Sequence, residues 1–314
     1  MSHIESNERA TGADDYQDAI AQGFMPIREV ARLTGVNAVT LRAWERRYGL
    51  IVPHRTPKGH RLYSNEHVAH IHNILTWLGR GVSVSQVKGL LRSGQPAFSE
   101  ATSQWEEKRQ RLQECICNLN ERRLDECFNT ELALYPPQTL CQQLLLPLLE
   151  ELELRWRNPC GAQAERVFFF SWLRSKLGAR LYHNNRQHGG ATLLLINVSD
   201  LPMAPGMWLT AWLASSAGCP VEVFDWPLQP TDLALAVEHI QPRAVLLYSS
   251  QALNTGHLQR LLAGYDCPCL IVGEAVQIHL DELNRLCAHN PDLALAQDPL
   301  AALHSLTDLN LLDS

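Results

Sequence analysis

The stretch Met25–Tyr63, MPIREVARLTGVNAVTLRAWERRYGLIVPHRTPKGHRLY, carries the most specific pattern in this chain of 314 residues. It lies within a basic segment, residues 24–94, that holds eleven Lys or Arg and three Asp or Glu. The local formal charge is therefore +8, although the whole chain carries −6. A cationic segment on an acidic protein is typical of a surface that binds phosphates, because bound cations release the counterions condensed on a nucleic acid.

The first half of this stretch predicts two short helices joined by a turn. Apolar residues recur at helical spacing from Ile27 to Leu33, and Gly35 predicts a turn with positive φ. Asn37 is placed to cap a second helix, which would pack on the first through Val39 and Leu41. This pattern predicts a helix-turn-helix.

With that packing, the outer face of the second helix carries side chains suited to base edges and phosphates. Its members are Thr40, Arg42, Arg46 and Arg47. Trp44 and Tyr48 have two interpretations. They either seal the helix against the next segment or place a ring edge or hydroxyl against a nucleic-acid backbone.

A Pro/Gly tip flanked by apolar and β-prone residues predicts a two-stranded wing after this helix. The basic side chains at the tip are Arg55, Lys58, His60 and Arg61. They can reach a neighbouring groove or strand while the helix occupies the major groove. Two further helices are predicted over residues 65–80 and 84–92, with Ser64 and Ser83 as caps.

The order helix, turn, helix, wing, two helices over residues 24–94, with TLRAWERRYGL and then RTPKGHRLY, resembles the MerR family of transcriptional regulators. It is most similar to the MlrA/CarH-like subgroup, in which Ala-Trp replaces the usual pair of tyrosines. The resemblance implies that Arg42 reads base edges, that the helix contacts DNA through Trp44 and residues 46–48, and that Arg61 and Tyr63 clamp phosphates. The complete predicted DNA-binding set is Asn37, Thr40, Arg42, Trp44, Arg46, Arg47, Tyr48, Arg55, Lys58, His60, Arg61 and Tyr63.

The family also implies a mode of action. Its members bind pseudo-palindromic promoter sites in double-stranded DNA as homodimers, and they act on RNA polymerase by bending and untwisting the promoter or by blocking it. We therefore expect a sequence-specific, dimeric regulator of transcription. The chain shows no sustained heptad, so the dimer contact is expected in the last helices of the basic segment or in the region that follows.

Four further segments are predicted around this winged helix-turn-helix domain at residues 24–94. They are a disordered lead-in at residues 1–23, a linker at 95–102, a four-helix bundle at 103–186 and a flavodoxin-like α/β domain at 190–314. The bundle follows from apolar residues at helical spacing, with Pro147 kinking or dividing its third helix.

The α/β domain follows from a change of pattern after residue 190. Apolar, strand-like runs begin at Leu193, Val221, Ala244, Leu270 and Leu293, and helical patterns lie between them. This alternation predicts a doubly wound, parallel sheet covered by helices on both faces. Ligands of such folds lie beyond the carboxyl ends of the strands.

A helical bundle followed by a doubly wound domain resembles the cobalamin-binding unit of methyltransferases and of CarH-like regulators. The resemblance carries a degenerate cofactor-binding set onto this chain: Trp156, Glu165, Met203, Gly206, Ser250 and Gly273. Met203 stands where the cobalt-ligating histidine is expected, Arg166 replaces a second histidine, and Glu274 replaces a glycine beside the nucleotide-tail pocket. A thioether is a soft, weak ligand for cobalt(III), so these departures favour loss of cobalamin binding and a protein without a cofactor.

Three alternatives stay open for the C-terminal region. It senses a small molecule, it docks another protein, or it binds cobalamin as in light- or ligand-responsive regulators of the CarH type. A corrinoid-carrier subunit of an enzyme is a further alternative. The sequence offers no nucleophile with a paired base and no glycine loop for phosphates, so we predict that the protein is not an enzyme.

Composition limits the remaining classes of protein. No apolar run reaches the length of a membrane span, and the first 23 residues contain no secretory signal, which predicts a cytoplasmic protein. The nine cysteines are an odd number and are scattered along the chain, so reduced thiols are expected. Cys115 and Cys117, like Cys267 and Cys269, are too close in sequence for a typical zinc site, and no metal is predicted.

Overall fold

A computed structural model of the chain describes residues 19–93, 98–157, 162–199 and 203–312. The chain forms two compact units, Met1–Arg155 and Trp156–Ser314. Within the described ranges, no helix is both long enough and apolar enough to cross a lipid bilayer. Most of the predicted lead-in and part of the predicted linker fall outside those ranges.

Two helices joined by a tight turn lie in the first unit, as predicted. Helix α1 (Ile27–Thr34) ends at Gly35, which adopts the left-handed conformation with φ of 68°. Helix α2 (Ala38–Ala43) begins after Asn37, whose side chain accepts a hydrogen bond of 2.9 Å from the Thr40 backbone N–H. The helix then continues as a π-helical segment, Trp44–Tyr48.

The predicted wing is present, and a third strand extends it. Strands β2 (His54–Arg55) and β3 (Arg61–Tyr63) form an antiparallel pair in which Arg55 lies opposite Arg61. Strand β1 (Met25–Pro26), directly before α1, pairs with the other edge of β3. The sheet order β1-β3-β2 therefore joins the wing to the start of the helix-turn-helix.

Six α-helices and one π-helical segment follow in the described part of the first unit. In chain order the α-helices are α3 (Asn65–Gly79), α4 (Val84–Ser93), α5 (Phe98–Cys117), α6 (Glu121–Leu132), α7 (Pro137–Leu140) and α8 (Leu146–Arg155). A π-helical segment, Cys141–Leu145, connects α7 to α8. It lies just before Pro147, which has no N–H for the helical ladder, so the helix changes from π- to α-helical geometry close to the proline where a kink or a division was predicted.

The second unit begins with a long helix, α9 (Ala162–Asn185), followed by a five-stranded parallel sheet. The strands are β4 (Leu193–Asn197), β5 (Val221–Phe224), β6 (Ala244–Tyr248), β7 (Cys269–Val272) and β8 (Leu293–Ala296). The helices between and after them are α10 (Pro205–Ser216), α11 (Pro230–Ile240), α12 (Thr255–Leu262), α13 (Ala275–Ile278), α14 (Leu280–His289) and α15 (Pro299–Asp308). The alternation predicted from the sequence is confirmed.

The strand order β5-β4-β6-β7-β8 places the second strand of the sheet outside the first, which is the flavodoxin-like order. Every residue of β4, β6 and β7 is buried, because helices cover both faces of the sheet. Ile196, Leu247 and Ile271 lie side by side on adjacent strands and belong to one core cluster.

The four helices predicted for the bundle are present, but they are divided between the units. Helices α5, α6 and α7–α8 belong to the first unit and α9 belongs to the second. A separate bundle at residues 103–186, like the other predicted boundaries, stays a prediction. The eight cysteines that the structure describes are free thiols, as expected.

Candidate functional site

The arginines of α2 and its π-helical continuation point to solvent, as the sequence predicted. Arg42, Arg46 and Arg47 are exposed. Val39, which is 59% exposed, lies on the same face as Arg42, since residues three apart are neighbours on a helix. The prediction that Val39 packs inward is therefore wrong.

Two predicted DNA contacts of this helix need correction. Thr40 and Trp44 are both completely buried, so neither side chain can reach a nucleic acid in this structure. The Trp44 indole Nε1 donates a hydrogen bond of 2.8 Å to the backbone oxygen of Leu134. Of the two interpretations of Trp44, the structure supports the one in which the ring seals the helix against another segment. Tyr48 is half-buried, and its contact with DNA stays a prediction.

The wing presents a row of exposed basic side chains, those of Arg55, Lys58 and His60. Tyr63, predicted as a phosphate clamp, is only 1% exposed, and its hydroxyl is buried without a hydrogen-bond partner among the described residues. Burial, and then the nearby Glu45 carboxylate, raise the pKa of Tyr63 to about 12. The predicted contact of Tyr63 with phosphate is corrected, because its side chain supports the root of the wing instead.

A carboxylate that the sequence analysis did not single out connects the wing to the helix. Glu45 Oε1 lies 2.6 Å from Arg55 Nη2, and Glu45 Oε2 lies 2.5 Å from Arg61 Nε. Burial acts to raise the pKa of Glu45, but the hydrogen bonds from Arg61 and Arg55 outweigh it and hold the pKa below its ordinary value. The carboxylate is therefore ionised at neutral pH.

The helix and the wing share one cleft. A cavity of about 210 Å³ lies between the start of α1, helix α2 and the tip of the wing. Its lining residues are Pro26, Ile27, Arg42, Gly59, His60 and Arg61. Arg42 and Arg61, which the sequence places 19 positions apart, therefore face a common space suited to an anionic group.

Hydrogen bonds also join the winged domain to the helices that follow it in the first unit. Besides the bond from Trp44, the Trp105 indole donates to the Gly81 oxygen at 2.7 Å, and the Gln143 amide donates to the Gly79 oxygen at 3.0 Å. The Val84 N–H donates to the Tyr135 hydroxyl. No sequence pattern indicated these bonds, because each joins residues that are distant in the chain.

Two positions of the predicted cofactor set meet at the start of the second unit. The Trp156 indole Nε1 donates a hydrogen bond of 3.1 Å to Glu165 Oε2, and both residues are 8% exposed. The Arg166 guanidinium lies over the rings of Trp156 and Phe170, at 5.9 and 5.4 Å from their centroids. Arg166 thus covers the tryptophan at the position where the resemblance expects a histidine.

Gly206 and Gly273 do not leave open space in the second unit. A Cβ at Gly206 would lie 2.3 Å from the Tyr248 hydroxyl oxygen, and a Cβ at Gly273 would lie 2.3 Å from the Ser249 backbone oxygen and 3.2 Å from the Tyr248 ring. Tyr248, at the carboxyl end of β6, is 5% exposed and fills the space between these glycines. Glu274, which stands beside Gly273 where the resemblance expects a second glycine, is exposed.

Met203 and Ser250 are the remaining members of the predicted cofactor set. Met203 is half-buried, and the loop residues before it, 200–202, lie outside the described ranges. The Ser250 hydroxyl is buried without a hydrogen-bond partner among the described residues.

A second cavity, of about 310 Å³, lies beyond the carboxyl ends of β4, β5 and β6. It is lined by Val198, Ser199, Pro227, Leu228, Gln229, Gln251, Ala252, Leu253, Asn254, Leu258, Arg260 and Leu261. Strands β5 and β6 flank β4 on opposite sides, so the cavity occupies the position where the winding of the sheet reverses.

Comparison with known proteins agrees with this architecture. Residues 25–94 match the family "MerR HTH family regulatory protein", and residues 108–180 match "B12 binding domain". The HTH-type transcriptional regulator MlrA of Salmonella typhimurium is 32% identical over 238 residues, which cover 76% of this chain and 93% of MlrA. The chain belongs to the MerR family of transcriptional regulators.

Other similar proteins are also HTH-type regulators of transcription. MlrA of Escherichia coli is 30% identical over 236 residues, covering 75% of this chain and 92% of that protein. The HTH-type transcriptional repressor CarH of Myxococcus xanthus is 28% identical over 173 residues, covering 52% of this chain and 58% of CarH. The MlrA/CarH-like resemblance is confirmed. These relatives are regulators of transcription and not enzymes, which agrees with the prediction that this MerR-family protein is not an enzyme.

Proposed function

We propose that this MerR-family regulator binds a pseudo-palindromic promoter site in double-stranded DNA as a homodimer. The observation that carries the proposal is the cleft in which Arg42 of the recognition helix and Arg61 of the wing converge. A guanidinium can bind a guanine edge or a phosphate with two parallel hydrogen bonds, so arginines on both the helix and the wing can contact one duplex. The proposed contacts are Asn37, Arg42, Arg46, Arg47, Tyr48, Arg55, Lys58, His60 and Arg61.

The proposed output is a change in the geometry of promoter DNA that RNA polymerase encounters. Basic side chains on both the helix and the wing suit a protein that bends or untwists the duplex, because the contacts repay the energy of deformation. The energy needed to deform the duplex depends on its sequence, so base pairs that the protein does not touch also contribute to specificity.

Selection from a fragmented genomic library at moderate salt tests this function. We expect enrichment of a small set of palindromic fragments, and sedimentation of two chains with each operator duplex. The absence of any preferred fragment would contradict DNA recognition. A protein that sediments as a monomer both with and without its operator would contradict the dimer.

We also propose that the second unit acts as a sensor without bound cobalamin. The chain's residues do not fit the cofactor, since Met203 offers a thioether where an imidazole is expected and the Tyr248 side chain lies against Gly206 and Gly273. The cavity beyond β4, β5 and β6 supports the sensing of a small, polar molecule instead. Docking of another protein is the alternative role.

Incubation with hydroxocobalamin, followed by gel filtration, is expected to leave the full-length protein colourless. The reason is that the Tyr248 side chain occupies the space between Gly206 and Gly273 that the cofactor would need. The absorption spectrum of the protein fraction provides the measurement. Corrinoid absorbance in equimolar amount with the protein would overturn the proposal. Tyr248→Ala, which clears that space, is the second variant, and retention by this variant alone would identify the tyrosine as the obstacle.

A further inference from the structure

Two positively charged side chains face each other in the wing, and the Glu45 carboxylate pairs with both of them. Arg55 and Arg61 are directly opposite each other in the β2–β3 pair. Like charges in this arrangement repel and destabilise a hairpin. Glu45, on the π-helical continuation of the recognition helix, places one carboxylate oxygen on each of these arginines, at 2.6 and 2.5 Å.

The two ion pairs of Glu45, with Arg55 and with Arg61, form a bridge between the recognition helix α2 with its π-helical continuation and the wing. Its carboxylate accepts charge-assisted hydrogen bonds from both strands of the wing, and the Glu45 side chain is only 14% exposed. The other acidic residue of the helix-turn-helix has a different role. Glu29 pairs with Arg32 on its own helix, where the two side chains are 39% and 69% exposed, so that pair connects no two elements.

The bridge leaves N–H donors of both arginines available for DNA. A guanidinium has five N–H donors, and Arg61 uses Nε towards Glu45. The same guanidinium lines the cleft that it shares with Arg42. The carboxylate also cancels part of the positive charge that would attract any DNA, whatever its sequence.

We propose that Glu45 is a positioning residue for DNA recognition. It holds the wing arginines at a fixed angle to the recognition helix and lowers their attraction for DNA of any sequence, so that specificity increases at the expense of non-specific affinity. This inference rests on the proposed DNA-binding function and adds a determinant of specificity to it.

The test compares Glu45→Gln with Glu29→Gln in the full-length protein. Both substitutions remove one negative charge from the helix-turn-helix, but only the first removes the bridge. Dissociation constants are measured over a salt series for the selected operator and for an unrelated duplex of equal length.

We expect Glu45→Gln to bind the unrelated duplex more tightly, with a salt dependence steeper by about 0.9, the value for one additional phosphate contact. The ratio of operator to unrelated affinity should fall about tenfold, as for the loss of one well-placed base contact. Glu29→Gln should keep the wild-type ratio. Glu45→Asp keeps the charge on a shorter side chain, and should lose specificity without the steeper salt dependence.

Two results would overturn the inference. One is a Glu45→Gln variant with the ratio and salt dependence of Glu29→Gln. The other is an equal loss of affinity for both duplexes together with a lower melting temperature, which would assign Glu45 a role in stability alone. A wild-type protein that prefers no duplex would instead contradict the proposed function itself, and the wild-type arm of the same experiment identifies that result.

Discussion

Trp44→Ala is expected to lower the free energy of unfolding of the first unit by about 3–5 kcal/mol, the usual cost of removing a buried tryptophan side chain. The ring is completely buried, and its N–H donates to the Leu134 oxygen. Urea unfolding of the full-length protein gives the change in free energy. Hydrogen exchange of amides 38–48 shows whether the recognition helix loses protection.

Trp44→Phe is the matched control for that experiment. It retains a buried aromatic ring but leaves the Leu134 oxygen without its donor, so a smaller loss of about 1–3 kcal/mol is expected. If Trp44→Ala left stability and exchange unchanged and weakened only operator binding, the indole would have to contact DNA, and its assignment to the protein interior would be wrong.

Arg42→Ala is expected to weaken binding to the selected operator by about 1–3 kcal/mol and to relax base preference at one position of each half-site. Arg42 is exposed on the recognition helix and lines the cleft shared with Arg61. Competition binding against operators with single base changes provides the measurement.

Arg80→Ala controls for the loss of one positive charge from the same domain. Arg80 follows α3 and stacks on Trp77, with its guanidinium carbon 5.1 Å from the ring centroid. We expect this variant to retain base preference. An Arg42→Ala protein that discriminates among the altered operators as well as the wild type would refute the assignment of Arg42 as a reader of bases.

Much of the fold could be predicted because the local patterns are strong. The apolar runs from Leu193 to Leu293 became the five parallel strands, since fully buried strands read as continuous hydrophobic segments. Asn37 and Gly35 marked a helix start and end through chemistry that does not depend on the rest of the chain.

The orientation of the recognition helix was predicted only in part. Val39 and Leu41 were both expected to face inward, but residues two apart on a helix do not share a face. Leu41, Thr40 and Trp44 form the buried side, and Val39 lies outside. The position of the large Trp44 ring was the signal that could have corrected the phase.

Other determinants could not be read from the sequence, because they depend on contacts between distant segments. Glu45 gains its role only when the hairpin places Arg55 opposite Arg61. Tyr248 reads as one more strand residue until its ring is seen against Gly206 and Gly273. Residue spacing within a motif carries no information about either arrangement.

The bonds from Trp44, Trp105 and Gln143 have a practical consequence for protein engineering. A chimaera that exchanges only residues 24–94 with those of a relative would leave the indole of Trp105 and the amide of Gln143 facing a foreign surface. Interchangeable operator specificity therefore requires a longer transplant, one whose junction follows Arg155, where the chain passes from one unit to the next.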